Sequence, residues 1–335
     1  MNTQLLTSDE LPKAAALLRA GKIVAFPTET VYGLGARVFD ESAVRAVFRA
    51  KGRPSDNPLI VHCATTHDLT LVAEPLPKHL QHLFDALTAA FSPGPLTILL
   101  PKHPAVPDSV SAGLPTVAVR FPAHPLAEAL IRAVGEPLVA PSANRSGYPS
   151  PTTAQHVLHD LQGRIAAVVD GGECAVGIES TVIDILHEPL TILRPGSITE
   201  EDLSSIAATC GFAPFQYVSS EKNIVPRSPG TKYRHYAPEA RVIVVASCEE
   251  ALVVANEHHP ALILASEKII ANFSSKISNE ISNEASIYQL SQQSLYAALR
   301  RADEEKKRTV IILADEEIRR DAALMNRITK AASGV

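Results

Sequence analysis

Lys51-Gly52-Arg53 sets two cations two positions apart where a helix gives way to Pro54. In an extended chain, residues i and i+2 project to one side, so both cations could grip a single phosphate. At a helix C-terminus the same pair merely offsets the dipole. Ser142 and Asn144 repeat the spacing after the apolar run Leu138-Val139-Ala140. They offer neutral donors and acceptors where α/β sheets commonly bind ligands, or else a simple turn into Arg145-Ser146-Gly147. Arg120 and Arg194 each finish an apolar strand. An arginine so placed needs an anion, supplied by the protein or by a ligand. Both together, with Lys51 and Arg53, favour a polyanionic ligand. His62 follows Leu59-Ile60-Val61 and reads as a half-buried residue rather than a metal ligand, since His67 makes no convincing partner. Ser180, in Gly177-Ile178-Glu179-Ser180-Thr181, has a nucleophile's type, but no histidine and carboxylate can be set beside it.

Several chemistries are excluded by what is missing. The sequence holds no G-x-x-x-x-G-K-[ST] loop, and Gly33-Leu34-Gly35 lacks the third glycine of a dinucleotide fingerprint. There is no H-E-x-x-H, no G-x-S-x-G and no kinase signature set. Cys63, Cys174, Cys210 and Cys248 are far apart, so neither a structural zinc site nor a disulfide framework is indicated. The formal net charge is −5, aromatics are 5% and tryptophan is absent, all of which oppose a broad nucleic-acid surface. Any anion site is therefore local.

The elements that must position these residues alternate between strand and helix. Ser8 is the expected cap of a first helix whose apolar face is Leu11, Ala15 and Leu18, with Gly21 closing it. A strand Ile23–Phe26 follows, then a loop from Thr28 to Gly35. Asp40 or Ser42 caps a helix burying Val44, Val47 and Phe48. Strands are expected at Leu59–His62, Leu96–Leu100, Val117–Arg120, Leu138–Ala140, Ala166–Val169, Thr181–Ile185 and Thr191–Leu193, with helices including His79–Phe91 and Pro125–Val134. The pattern weakens from Glu200, and Pro214–Pro238 carries four prolines, Gly230, Arg227, Lys232 and Arg234. A fresh alternation then begins: strands at Val242–Ala246, Ala261–Ala265, Ile287–Leu290 and Val310–Ala314, helices at Glu249–Asn256, Ser291–Arg308 and Glu316–Ala332. With 335 residues, 46% of them hydrophobic, the chain suits two α/β domains. The boundaries expected are 1–205 for a larger domain, 206–240 for a linker and 241–335 for a small Rossmann-like βαβ domain with a parallel sheet. The polar tandem Ile277–Glu280 and Ile281–Glu284 reads as a loop. No signal peptide or membrane-length apolar run is seen, so the expected location is the cytoplasm, with no membrane partner.

Read together, the clusters resemble the YrdC-like threonylcarbamoyl-adenylate synthase family in its long, two-domain form. The resemblance rests on Pro27-Thr28-Glu29-Thr30-Val31-Tyr32-Gly33-Leu34, Lys51-Gly52-Arg53-Pro54, Asn57-Pro58-Leu59-Ile60-Val61-His62 and Ser92-Pro93-Gly94-Pro95-Leu96-Thr97. It continues through Val119-Arg120-Phe121-Pro122, Pro141-Ser142-Ala143-Asn144-Arg145-Ser146-Gly147, Glu179-Ser180-Thr181 and Arg194-Pro195-Gly196, then Ser228-Pro229-Gly230 and His235-Tyr236-Ala237-Pro238. It implies a twisted mixed sheet with helices for the first domain. It also implies ATP contacts at Arg53, Asn57, Thr116, Ser142, Asn144, Thr152, Arg194 and Tyr236, with Lys51 near the phosphates. Thr30, His62, Arg120 and Ser180 are implied for L-threonine. Catalytic roles are expected for Lys51 and Arg53.

The implied reaction joins L-threonine, bicarbonate or carbon dioxide, and ATP into L-threonylcarbamoyl-AMP with release of pyrophosphate. Its product would pass to proteins that modify the adenosine next to the tRNA anticodon. Magnesium is expected with ATP, although no carboxylate cluster identifies protein ligands for it. A direct tRNA contact is left open. The basic linker could close over the site as a lid or serve only as a connector. Two other readings are an RNA-binding protein using the same basic concavity, and a carbamoyl-transfer enzyme of related fold.

Overall fold

The computed structural model describes residues 2–218, 236–271 and 285–333. They fall into two compact units, one holding 2–146 and 151–218, the other 147–150 and 236–333. The stretch bearing Arg227, Ser228-Pro229-Gly230, Lys232, Arg234 and His235 lies outside the described residues, as does the tandem 277–284.

Eleven strands of the first unit make one mixed sheet: β1 (Gln4–Leu6), β2 (Val24–Phe26), β3 (Gly33–Arg37), β4 (Ile60–His62), β5 (Leu96–Pro101), β6 (Thr116–Arg120), β7 (Leu138–Val139), β8 (Ala167–Val169), β9 (Thr181–Asp184), β10 (Thr191–Arg194) and β11 (Gln216–Tyr217). Their order is β1-β8-β2-β3-β7-β4-β6-β5-β9-β10-β11. One face carries the main core. There Val61, Ile98, Val119, Val139 and Ile183 meet Val44 and Val47 of α2 (Glu41–Lys51) and Leu83 and Leu87 of the helix Lys78–Phe91. On the opposite face, Leu6, Val24, Phe26, Leu138 and Val169 pack against α1 (Leu11–Arg19) and the helix Pro125–Val134. Farther along that second face, Ile60, Leu99 and Ala118 form a small cluster with Leu193, and no helical residue joins it.

Local chemistry explains the helix bounds. Asp40, not Ser42, caps α2 by accepting from Ala43 N, and Gly52 ends it at φ 62°, ψ 34°. The first helical turn is capped by Thr7 rather than Ser8, with Glu10 completing a capping box. The segment Gly33–Arg37, expected partly as loop, is a strand pairing antiparallel to β2. Its glycines hid it: a Cβ on Gly35 would sit 2.8 Å from a Phe26 ring carbon, so close packing forbids the side chain that would have signalled a strand. Between Glu200 and Tyr217 the order does not fade. A helix Glu200–Thr209 is capped by Thr199 with Asp202, and β11 then pairs parallel to β10, so the boundary drawn at 205 falls inside a helix.

The second unit has four parallel strands, β12 (Arg241–Val245), β13 (Ala261–Ala265), β14 (Ser286–Gln289) and β15 (Thr309–Leu313), ordered β12-β15-β13-β14. β13 and β15 are buried at every position, as the central strands of a parallel sheet must be. The expected helix Glu316–Ala332 is two, Glu316–Arg320 and Ala322–Ala332. Asp321 leaves the helical region at ψ 94° and caps the second by accepting from Leu324 N.

Candidate active site

Strand register alone assembles a polar row on the second face of the large sheet. His62 pairs with Arg120, Arg120 with Thr97, Thr97 with Val182, and Val182 with Arg194. Cross-strand partners share a face, so His62, Thr97, Arg120 and Arg194 project together. The last member depends on a register shift between Ile192 and Arg194. That bulge brings Arg194, instead of Leu193, opposite Val182. Two residues back along the strands lies the apolar row of Ile60, Ala118 and Leu99. Two further back, Thr116 opposes Pro101. Four residues of strand separate Thr116 from Arg120, about 13 Å, comparable with a nucleotide's length.

At the polar row the side chains hold one another. Arg120 donates from Nε to Gly94 O at 3.2 Å and from Nη1 to Thr30 Oγ1 at 2.8 Å. Its Nη2 lies 2.6 Å from Glu29 Oε1. Thr30 Oγ1 also meets Thr28 Oγ1 at 2.8 Å. Arg194 donates to Ser180 O at 3.1 Å and to Ser180 Oγ at 3.2 Å, and Ser180 Oγ meets Thr97 Oγ1 at 2.7 Å. Gly196 lets its backbone lie against Ser180 and Thr181, because a Cβ would fall 2.3 Å from Thr181 N. His62 is buried, with Nδ1 3.3 Å from Ile60 O. Burial, reinforced by the Arg120 charge, pushes its pKa down to about 3, so the imidazole is neutral at physiological pH.

A second cluster forms where β4 begins and β7 ends. Lys51 Nζ donates to Ser142 O, to Asn144 O at 2.7 Å and to Asn144 Oδ1 at 3.3 Å. Arg53 Nη2 donates to Asn57 O at 3.3 Å and Pro58 O at 3.0 Å. Asn57 is 1% exposed, and its Oδ1 has no hydrogen-bond partner. Ala143 N bonds Tyr32 O at 2.8 Å and Tyr32 N bonds Pro151 O at 2.9 Å, so the loop before β3 lies between the Ser142–Asn144 and Pro151–Thr152 segments.

The structure brings several of the expected site residues together and leaves others apart. Thr30, Arg120, Ser180 and Arg194 are joined by hydrogen bonds or strand pairing, and His62 joins them through the register. Lys51 meets Ser142 and Asn144, and Arg53 meets the Asn57 backbone. Arg194, assigned to ATP, bonds Ser180, assigned to threonine, so the two sets meet there. Thr152 is buried, its hydroxyl 3.3 Å from His156 Nδ1. Tyr236 belongs to the second unit, where its ring centroid is 5.3 Å from that of Tyr296. One expectation needs correction. Lys51 and Arg53 do not share a side of an extended chain: Lys51 is the last helical residue, 4% exposed, and Gly52 turns left-handed between them. Glu29 and Thr97 were missed. Both lie inside motifs already quoted, but only strand pairing and loop closure reveal their neighbours. Among the described residues no group of three or more His, Cys, Asp or Glu is gathered to hold a metal, and no helix is long and apolar enough to cross a membrane.

Residues 16–196 match the Sua5/YciO/YrdC family, described as telomere recombination, and residues 198–333 match the family described as threonylcarbamoyl-AMP synthase, C-terminal domain. A threonylcarbamoyl-AMP synthase of Bacillus subtilis is 43% identical over 338 residues, covering 99% of this chain and 95% of its own. One from Pyrococcus abyssi is 41% identical over 321 residues, covering 95% and 93%. The crystal structure of P. abyssi Sua5 complexed with L-threonine superposes with a TM-score of 0.85 at 36% identity, covering 99% of this chain and 98% of that one. With both parts matched and near-complete relatives above 40% identity, the chain belongs to the two-domain Sua5 branch of the Sua5/YciO/YrdC family.

Proposed function

We propose that this chain is a threonylcarbamoyl-AMP synthase, an ATP-using enzyme that acts on L-threonine. The observation that carries the reading is the polar row His62–Arg120–Thr97–Arg194, set about 13 Å from Thr116 along one sheet face. The amino-acid end would hold threonine through Arg120, Thr30 and Ser180. His62 is neutral and turns Nδ1 to a carbonyl, which presents Nε2 as an acceptor for the threonine hydroxyl. The nucleotide end would use Arg53, Asn57, Thr116, Ser142, Asn144 and Thr152. Asn57 Oδ1, buried and unpartnered, suits an adenine or ribose donor. Arg194 sits where the two ligands would join.

The chemistry asks for little from any one side chain. Threonine's ammonium and bicarbonate give a carbamate, water and a proton. A carbamate oxygen then attacks the α-phosphorus of ATP, and the bond to pyrophosphate breaks. Both partners are anions, so fixed cations and positioning supply most of the catalysis. Arg194 and Arg53 are the cations placed to face phosphate. Lys51 acts one step back by holding the carbonyls of Ser142 and Asn144, which fixes the loop that meets the nucleotide. Magnesium would enter with the triphosphate and offset its charge. The product would be consumed by proteins that transfer the threonylcarbamoyl group to tRNA adenosine, and the cytoplasm is the compartment proposed for both.

Incubation with L-threonine, bicarbonate, ATP and magnesium should release pyrophosphate and yield a new adenylate, each dependent on threonine. Threonine-independent pyrophosphate release, or threonine consumption without α–β cleavage of ATP, would overturn the reading.

A further inference from the structure

Glu29 takes no part in the scheme above, yet it is the most unusual group at the amino-acid end. Both of its carboxylate oxygens are shut away from solvent and accept no hydrogen bond. Arg120 Nη2, 2.6 Å from Glu29 Oε1, makes no hydrogen bond either. The opposite charges touch, but the N–H is not aimed along the contact. Arg120 is held by its side chain, and Glu29 by its backbone alone. Arg120 is anchored through Nε to Gly94 O and through Nη1 to Thr30 Oγ1. The Glu29 backbone is pinned by Val176 N donating to its carbonyl at 2.8 Å. His124 and Cys174 are close enough to feel Glu29, but burial holds His124 below its ordinary pKa and pushes the Cys174 thiol up to about 12. Neither adds a charge at neutral pH.

An anchored cation and an anion whose side chain can turn, each with unspent hydrogen-bonding capacity, complement a ligand that carries both charges a bond or two apart. An α-amino acid zwitterion is such a ligand: its carboxylate answers Arg120 Nη2 and its ammonium answers the Glu29 oxygens. Charge balance is kept when it enters, since each buried group exchanges one opposite charge for another. A simple carboxylate would take Arg120 and leave Glu29 buried without a counter-charge, which is strongly disfavoured. We propose that Glu29 receives the α-amino group of the substrate, so that the Glu29–Arg120 pair opens to admit a zwitterion and reads α-amino acids against plain carboxylates. This rests on the reading of threonine as substrate and adds to it the residue that recognises the amine.

Titration calorimetry on the full chain tests the assignment with two ligands, L-threonine and 3-hydroxybutyrate, which is threonine without its amine. The unsubstituted protein should bind threonine at least ~10-fold more tightly. Glu29→Gln should weaken threonine roughly 10- to 100-fold while leaving 3-hydroxybutyrate unchanged or tighter, because a charged hydrogen bond is lost for one ligand only. The Michaelis constant for threonine should rise while that for ATP stays put. Equal losses for both ligands would make Glu29 merely structural and overturn the proposal, as would unaltered threonine binding. Equal affinity of the unsubstituted protein for the two ligands would overturn it without recourse to a variant. Failure of the unsubstituted protein to bind threonine at all would instead sink the substrate reading underneath.

Discussion

The two ends of the site meet their cations in different ways. At the amino-acid end, Arg120 lies against a carboxylate, Glu29, at 2.6 Å. At the nucleotide end, Lys51 donates to Ser142 O and Asn144 O, and Arg53 donates to Asn57 O and Pro58 O. A carboxylate cancels the charge it touches. A carbonyl accepts the N–H and so ties the group that bears it to a loop. The first arrangement suits a ligand of zero net charge; the second fixes the segments that carry Ser142, Asn144 and Asn57. The second unit supplies a contrast on the scale of whole sheets: its strands β13 and β15 are buried at all positions, and none of its strands bears a row of charged side chains. What marks the polar row is therefore charge buried at strand ends, Arg120 and Arg194.

Breaking the amino-acid end should have the largest effect. Arg120→Met removes the partner proposed for the threonine carboxylate and takes from Glu29 the cation it touches. Threonine-dependent pyrophosphate release should fall about 10³-fold, and unfolding free energy should drop about 3–5 kcal/mol, as for one broken partner of a buried pair. Adding Glu29→Met to that variant should recover most of the stability and none of the activity. Denaturant unfolding beside a pyrophosphate assay separates the two. If activity returned with stability, charge at this end would be structural and the contrast would collapse.

Lys51→Ala probes the other end. Its rate should fall ~10²–10³-fold, because the Ser142–Asn144 loop loses the ammonium that ties its carbonyls. The Michaelis constant for ATP should rise, and that for threonine should stay within about twofold. A shift in both would mean that the two ends are one.

How much of this could be read from the chain varies with the physics behind each feature. Apolar runs ending in a charge, such as Val117 to Arg120, announced the strands and the buried charges that close them. Gly33–Arg37 did not announce itself, because its glycines make room for Phe26 and Ala140 instead of carrying the side chains that mark a strand. The relation of Lys51 to Arg53 was misread although the signal was present: a glycine just past a helix end usually turns left-handed, which ends any shared side. Glu29 and Thr97 depend on partners far away in sequence, Arg120 and Ser180. The bulge that turns Arg194 into the row depends on how β10 pairs with β9. No local pattern encodes such contacts.

His62 gives the comparison a pH axis at the amino-acid end. Its folded pKa is depressed to about 3, so the unfolded chain, with the ordinary value of 6.5, binds the proton more readily. Stability from this residue is whole above about pH 6.5 and is lost as the pH falls toward 3. At pH 5 the loss should be about 2 kcal/mol. Denaturant unfolding at pH 7 and pH 5, done in parallel on His62→Gln, checks it: the variant should start less stable but decline less. Identical declines would show that His62 is not held neutral.

The smallest expected effect isolates the backbone at the nucleotide end. Gly52 sits at φ +62°, and a Cβ there would meet nothing within 4 Å. Gly52→Ala therefore adds no clash, only the left-handed penalty of about 1–2 kcal/mol. A drop of that size in denaturant unfolding, with threonine binding untouched, is the expected result. The Michaelis constant for ATP should rise modestly, because relaxing the turn moves Arg53 relative to the Lys51 anchor. A stability loss with no change toward ATP would mean that Gly52 only ends α2, and that its turn does not position Arg53 for the nucleotide.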